Sequence, residues 1–207
     1  KLPSQPKFGY NLKINKKLKY YYRHIKLKSN IVDSFNSNFY KDNTYFSGGS
    51  GSRIKTVDKY SAIHKIQYSS DKFRISFSEN VIYGSRSIDM TYLIPMVPIW
   101  SLQHYSDDLD NLQMNIEILY LLNKRSKLYF NLLIDEWRPK NTFKGKKNGN
   151  WFAYQLGFAA NTIFKKSDNL VVEYTWLDSR VARHRFSIND SYHEFQPFGF
   201  WSGPNSE

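Results

Sequence analysis

The chain has 207 residues, 41% of them hydrophobic, and its mean hydropathy is −0.61. It contains no cysteine, which excludes a disulfide scaffold and a thiolate metal site, and it has no apolar run long enough for a transmembrane helix. With 30 Lys and Arg against 18 Asp and Glu, the formal net charge is +12, which favours acidic partners.

Stretches that alternate apolar and polar residues are joined by connectors that are alternately short and long. The short connectors fall near residues 15–17, 69–71, 123–126 and 165–168, and the long ones span about residues 29–58, 84–110 and 138–150. Such a meander has tight turns at one end and loops at the other, which is typical of outer-membrane β-barrels.

The alternation is clearest from residue 72 to residue 83. Its apolar side carries Phe73, Ile75, Phe77, Val81 and Tyr83, and its polar side carries Lys72, Arg74, Ser76, Ser78 and Asn80. Residues 111–118, 127–135, 152–159 and 170–176 share this period, whereas residues 10–14, 18–27 and 60–68 fit it less cleanly. About eight strands result, most of them near the ~9–11 residues that cross a bilayer at a tilt. The sequence predicts an all-β fold, an antiparallel up-and-down transmembrane β-barrel.

The order of turns and loops also predicts that the barrel is incomplete. If the loops face outward, both ends of this chain lie outside. In addition, an open row of unpaired strand groups is not tolerated in lipid. We therefore expect residues 1–207 to form a single outer-membrane β-barrel domain that is incomplete at both ends, with at least one strand missing on each side.

Tryptophans mark the ends of several predicted strands. Trp137 and Trp151 flank the loop of residues 138–150, and Trp176 lies at the same level one strand later. This is where an aromatic girdle would place its rings at a membrane interface. The alternative is that the rings cap the core of a soluble sandwich. The total of 16 Tyr, 15 Phe and 5 Trp favours the girdle.

Seven short segments stand in a characteristic order: residues 78–84 (SENVIYG), 92–95 (YLIP), 132–136 (LLIDE), 154–157 (YQLG), 170–175 (LVVEYT), 197–199 (PFG) and 203–207 (GPNSE). In this order they resemble the Wzi-like capsule assembly family of outer-membrane barrels. The resemblance covers about residues 60–207. Ile94 replaces a common Asn, and Phe200 and Trp201 replace a His-Pro pair. Family members are much longer than this chain, which agrees with the expectation of an incomplete barrel.

This resemblance implies a non-enzymatic protein of the cell outer membrane that anchors or organises surface polysaccharide. Sugars are bound by flat aromatic faces beside planar hydrogen-bonding groups, with cations where the polymer is acidic. The candidate polysaccharide-binding residues are Trp151, Trp176, Arg180, Arg183, His184 and Arg185. Lys140, Lys144, Lys146 and Lys147 crowd one loop and either meet the polymer or only keep the loop soluble. The expected partners are outer-membrane lipid and lipopolysaccharide, acidic surface polysaccharide and other outer-membrane proteins.

Charged residues on the polar side of the strands form a second group. If the apolar side faces lipid, Lys72, Arg74, Glu117, Asp135 and Glu173 point into the lumen. Ion pairs between neighbouring strands would brace the barrel there, and a transport pore is the less favoured alternative. Glu79 lies on the apolar side and marks either the headgroup boundary or a bulge.

Catalytic and nucleic-acid signals are weak. The five histidines fit no triad, and Asp135 and Glu136 point to opposite faces, so they cannot act as a glycosidase pair. Residues 48–52 read as a flexible loop, and Asp107, Asp108 and Asp110 match only part of a Ca²⁺ loop.

We expect no enzyme activity, cofactor or metal. We also expect no nucleic-acid binding, because the cations are not gathered into one stripe. The alternatives are an outer-membrane enzyme acting on lipid A or lipids, and a structural subunit of a larger outer-membrane complex.

Overall fold

The computed structural model describes residues 5–41, 53–105, 107–144, 149–161, 168–194 and 196–197. Eight strands form one antiparallel sheet in which each strand pairs with its neighbours in sequence. They are β1 (Lys7–Lys13), β2 (Leu18–Val32), β3 (Thr56–Ser69), β4 (Phe73–Gly84), β5 (Asn111–Leu121), β6 (Ser126–Glu136), β7 (Trp151–Asn161) and β8 (Asn169–Leu177). The all-β, eight-stranded, up-and-down architecture predicted from the sequence is confirmed, and β1 and β8 are the edges of the sheet.

Tight turns lie at one end of the sheet, which we call the turn end. In the first turn the Asn15 side chain accepts hydrogen bonds from the backbone N–H groups of Lys17 and Leu18, both at 2.8 Å. Most of the fourth predicted turn lies outside the described residues, as do residues 48–52 and the lysines at 146 and 147.

Long connectors lie at the opposite end, which we call the loop end. They contain three short helices, α1 (Ser34–Ser37), α2 (Ile99–Tyr105) and α3 (Pro139–Phe143). No helix in the described ranges is long and apolar enough to cross a membrane. After β8, two short strands, β9 (Tyr192–His193) and β10 (Gln196–Pro197), pair with each other.

One side of the sheet, the polar face, carries rows of hydrogen bonds that cross the strands. In the first row Ser61 donates to Asn80 (2.6 Å), Asn80 to Gln113 (3.3 Å) and Gln113 to Asp135 (2.8 Å). A second row joins Lys65 to Glu117 (2.5 Å) and Ser76 to Glu117 (2.8 Å). A third joins Asn131 to Gln155 (2.8 Å), and Gln155 (3.0 Å) and Tyr129 (2.5 Å) to Glu173. The predicted cross-strand bracing is therefore made mainly of amides and hydroxyls, with one ion pair.

The other side, the apolar face, is exposed from β4 to β8. Its side chains include Phe73, Ile75, Phe77, Ile118, Leu128, Leu156, Val172, Tyr174 and Trp176, each 38–58% exposed. Val81 and Tyr83, predicted to belong to this exposed set, are instead fully buried. The reason is that residues 85–110 fold back over the apolar face of β2, β3 and β4.

Hydrogen bonds fix these residues, the connector 85–110, on the sheet. Met96 N–H donates to the Tyr20 hydroxyl (3.2 Å), and His64 Nε2 donates to the Tyr92 carbonyl (3.2 Å). Glu79 pairs in regular register with His64 and Met114, so no bulge is present there. Its buried carboxylate accepts from Ile99 N–H (2.8 Å) at the start of α2. The bulge considered from the sequence is therefore wrong, and the Glu79 carboxylate instead accepts a hydrogen bond at the N-terminus of α2.

Residues 178–194, which we call the strap, cross the loop end of the polar face. Ala182 N–H donates to Asp135 on β6 (3.0 Å), and Asn111 on β5 donates to the Asn189 carbonyl (3.0 Å). Farther along, Lys28 N–H on β2 donates to His193 Nδ1 (2.9 Å). Both faces of β2 and β3 are thus covered near the loop end, which explains why their sequences alternate less cleanly.

Candidate functional site

A cleft of about 800 Å³ opens at the loop end. Three segments form its walls: the connector 85–110, the connector 137–150 and the strap. Leu112 and Met114 of β5 form part of its floor. Its size falls within the range of ligand-binding pockets.

Three tryptophans line the cleft: Trp100 and Trp137 from two different connectors, and Trp151 at the start of β7. Trp100 and Trp137 are 53% and 46% exposed, and Trp137 Nε1 donates to the Thr142 hydroxyl of α3 (3.1 Å). Trp151 packs against buried Val181 and Ala182 of the strap. Flat, partly exposed rings beside polar groups suit the apolar faces of sugar rings.

Trp151 is held from a second direction by Arg180. The Arg180 guanidinium lies 5.4 Å from the Trp151 ring centroid and donates to both carboxylate oxygens of Asp178 (2.9 and 2.8 Å). These bonds hold the pKa of Asp178 below its usual range. Arg180 is not among the residues that line the cleft, and its contact with polysaccharide stays a prediction.

His184 and Arg185 of the strap, two of the candidate residues from the sequence, line the cleft. Burial lowers the pKa of His184, and its Nδ1 accepts from Phe186 N–H (3.2 Å), so the ring is neutral with a proton on Nε2. Arg185 donates to the Asp108 carbonyl and its guanidinium lies 5.0 Å from the Phe186 ring centroid. The strap and the connector 85–110 are therefore joined across the cleft.

Asp110 supports the wall formed by the connector 85–110. Its side chain is 1% exposed, its two oxygens accept from Arg86 (2.9 and 2.5 Å), and one of them also accepts from the Tyr92 hydroxyl (2.6 Å). These contacts leave Asp110 unsuited to the partial Ca²⁺ loop considered from the sequence. In the described part of the chain no group of His, Asp and Glu side chains is arranged to hold a metal ion.

The other candidate residues fall elsewhere. Trp176 lies on the apolar face, stacked on Tyr154 with ring centroids 5.3 Å apart. Arg183 lies on the strap and is not among the residues that line the cleft. Sequence reasoning missed Trp100 and Arg138 as cleft residues. The sequence did offer one indication that Trp100 is a cleft residue, because it is a tryptophan within a long predicted loop.

Comparisons of the chain with protein families, curated proteins and solved structures found no match. The function is therefore proposed from the geometry of the sheet and the cleft, together with the segmental resemblance described above.

Proposed function

We propose that this chain is part of an outer-membrane β-barrel whose loop-end cleft holds surface polysaccharide without chemical turnover. The polar face, with its rows of hydrogen bonds, lies toward the lumen, and the apolar face lies toward lipid. The edge strands β1 and β8 pair with further strands of the barrel, since unpaired strand groups are costly in lipid. On β2 and β3 the connector 85–110 takes the place of lipid near the loop end.

The observation that carries the membrane proposal is the exposed apolar face. Soluble monomers rarely expose contiguous apolar patches larger than a few hundred Å². Here exposed apolar side chains extend over five neighbouring strands, while each residue of the three rows on the opposite side makes at least one side-chain hydrogen bond. This distribution is the reverse of a soluble protein with a buried apolar core.

The observation that carries polysaccharide binding is the cleft with its three tryptophans. Rings on two separate connectors offer stacking surfaces for neighbouring sugar units, and Arg138, His184 and Arg185 supply cations and hydrogen-bond donors beside them. This chemistry suits an acidic polymer or the phosphates of lipopolysaccharide.

Binding is proposed over catalysis because three of the five carboxylates that line the cleft are hydrogen-bonded within the protein. Asp110 is held by Arg86, Asp135 by Gln113 and Ala182, and Glu79 by Ile99. An enzyme acting on lipid A or lipids is the alternative, and it predicts a change in the lipid rather than in polymer attachment. A purely structural subunit predicts neither a change in the lipid nor a change in polymer attachment.

Cell fractionation and gene deletion test the proposal together. The protein is expected to leave the membrane only with detergent and to migrate differently on gels before and after heating. Deletion of its gene is expected to release capsule into the medium. Extraction without detergent contradicts the barrel. Retained capsule with altered lipid A favours the enzyme.

Replacing Trp100 and Trp137 by alanine is expected to weaken polymer binding. Each single variant should raise the Kd for polygalacturonate about tenfold, the loss expected for one stacked ring of roughly 1.4 kcal/mol. Tryptophan fluorescence titration of the detergent-solubilised chain measures this Kd. Phe143→Ala is the matched control, because Phe143 is 87% exposed at the loop end and is not among the cleft residues. Equal affinities in all variants would remove the cleft from the proposal.

A further inference from the structure

The turn end of the sheet carries a dense group of cations that the polysaccharide proposal does not use. Nine exposed Lys and Arg residues lie there, which we call the cationic rim. Four are turn residues, Lys16, Lys17, Lys124 and Arg125, and five lie at strand ends on the polar face, Lys13, Lys19, Lys72, Arg74 and Lys127. The acidic residues described at this end are Asp71 and Asp168. The structure differs here from the expectation that the cations are not gathered on one surface.

The meander itself gathers these residues. Alternate connectors of an up-and-down sheet lie at the same end, and strand register aligns the residues beside them. Lys13 pairs with Lys19, Ser69 with Arg74, and Leu121 with Lys127. Three sequence segments more than 40 residues apart therefore form one charged edge.

The cations at the two ends of the sheet differ in their partners. At the loop end, ion pairs join Lys26 to Asp58 (3.0 Å), Lys28 to Glu194 (3.2 Å) and Arg180 to Asp178 (2.8 Å). No ion pair within the described ranges involves a residue of the cationic rim.

Apolar side chains lie directly beside the cations. Leu12, Ile14, Phe73, Tyr120, Leu122 and Leu128 are each 39–47% exposed near the turn end. The rim is thus continuous with the exposed apolar face. An apolar surface bordered by long cationic side chains matches the acyl and headgroup layers of a bilayer. A soluble polyanion would account for the cations but not for the apolar residues beside them.

We propose that the turn cations of the rim, Lys16, Lys17, Lys124 and Arg125, bind the phosphate-bearing headgroups of anionic phospholipids in the leaflet at the turn end. The other five cations lie on the polar face, which is the lumen side of the proposed barrel. This inference rests on the proposed membrane barrel. Each Lys or Arg near an anionic surface contributes roughly 1 kcal/mol, which corresponds to about a fivefold preference for one lipid over its neutral counterpart.

Lipid selectivity of the intact barrel protein that contains this chain, folded into phosphatidylcholine vesicles, tests the proposal. Spin-labelled phosphatidylglycerol and phosphatidylcholine are added in turn, and the motionally restricted fraction of each gives their relative affinity. We expect phosphatidylglycerol to be preferred about fivefold at low salt and less at high salt. The triple variant Lys16→Gln, Lys17→Gln, Lys124→Gln should lose most of this preference.

The matched control is Lys41→Gln, Lys140→Gln, Lys144→Gln, which removes three exposed lysines from the loop end. It should keep the preference of the unmodified chain. Equal selectivity in the rim variant and the unmodified chain overturns the inference, and so does an equal loss in both triple variants. Loss of polygalacturonate binding in the rim variant with unchanged lipid selectivity assigns the rim to a soluble polymer and also overturns it. If no restricted lipid appears with any chain, the barrel proposal fails as well.

Discussion

Replacement of Asp110 by alanine is expected to lower the free energy of unfolding by about 3 kcal/mol. The substitution leaves the Arg86 cation and the fully buried Tyr92 hydroxyl without their shared acceptor. Breaking a buried ion pair costs roughly 3–5 kcal/mol, and the low end applies because the Arg86 side chain is 34% exposed. Urea unfolding of the detergent-solubilised chain, followed by tryptophan fluorescence, measures the loss.

Limited trypsin digestion locates this effect. The connector 85–110 should loosen first, so cleavage after Arg86 should become faster in the Asp110 variant. Asp107→Asn is the control, because Asp107 is exposed in the same connector and no ion pair or hydrogen bond is described for its side chain. Tyr92→Phe removes one hydroxyl only and should cost about 1 kcal/mol. The same stability for the Asp110 and Asp107 variants would show that the buried pair does not hold the connector.

Arginine at position 172 is expected to cost about 2–4 kcal/mol in a lipid bilayer, whereas arginine at position 171 should cost little. The two valines are neighbours on β8 and are similarly exposed, 57% for Val172 and 52% for Val171. They differ in direction, since Val172 pairs with Phe158 on the apolar face and Val171 with Ala159 on the polar face. Only the apolar face meets hydrocarbon in the proposed barrel.

Folding of Val172→Arg and Val171→Arg into vesicles, with urea denaturation of each, compares the two positions directly. Because exposure, strand and substitution are matched, the difference between the two losses of unfolding free energy reports the medium that each face contacts. A larger loss at position 171 would reverse the assignment of lumen and lipid. Small and equal losses would mean that neither face meets hydrocarbon.

The candidate site was predicted only in part. Trp151, His184 and Arg185, three of the predicted residues, line the cleft, where Trp151 begins β7 and the other two lie in the strap that follows β8. Arg180 was predicted as a ligand contact but is engaged by Asp178 beneath Trp151. Trp176 belongs to the apolar face, because the two-residue alternation of β8 continues through position 176. Trp100 was missed because no local pattern fixes where a long connector folds.

The sequence by itself determined the eight strands, their order, the polarity of the two faces and the division into a turn end and a loop end. All of these follow from a two-residue period and from connector length, which are local properties of the chain. Tertiary structure decided which segments cover which face. The connector 85–110 buries Val81 and Tyr83, and the strap reaches β2 through a hydrogen bond between Lys28 and His193, 165 residues apart. The alternation determines to which face a side chain points. Only contacts between distant segments determine whether that face meets solvent, lipid or protein.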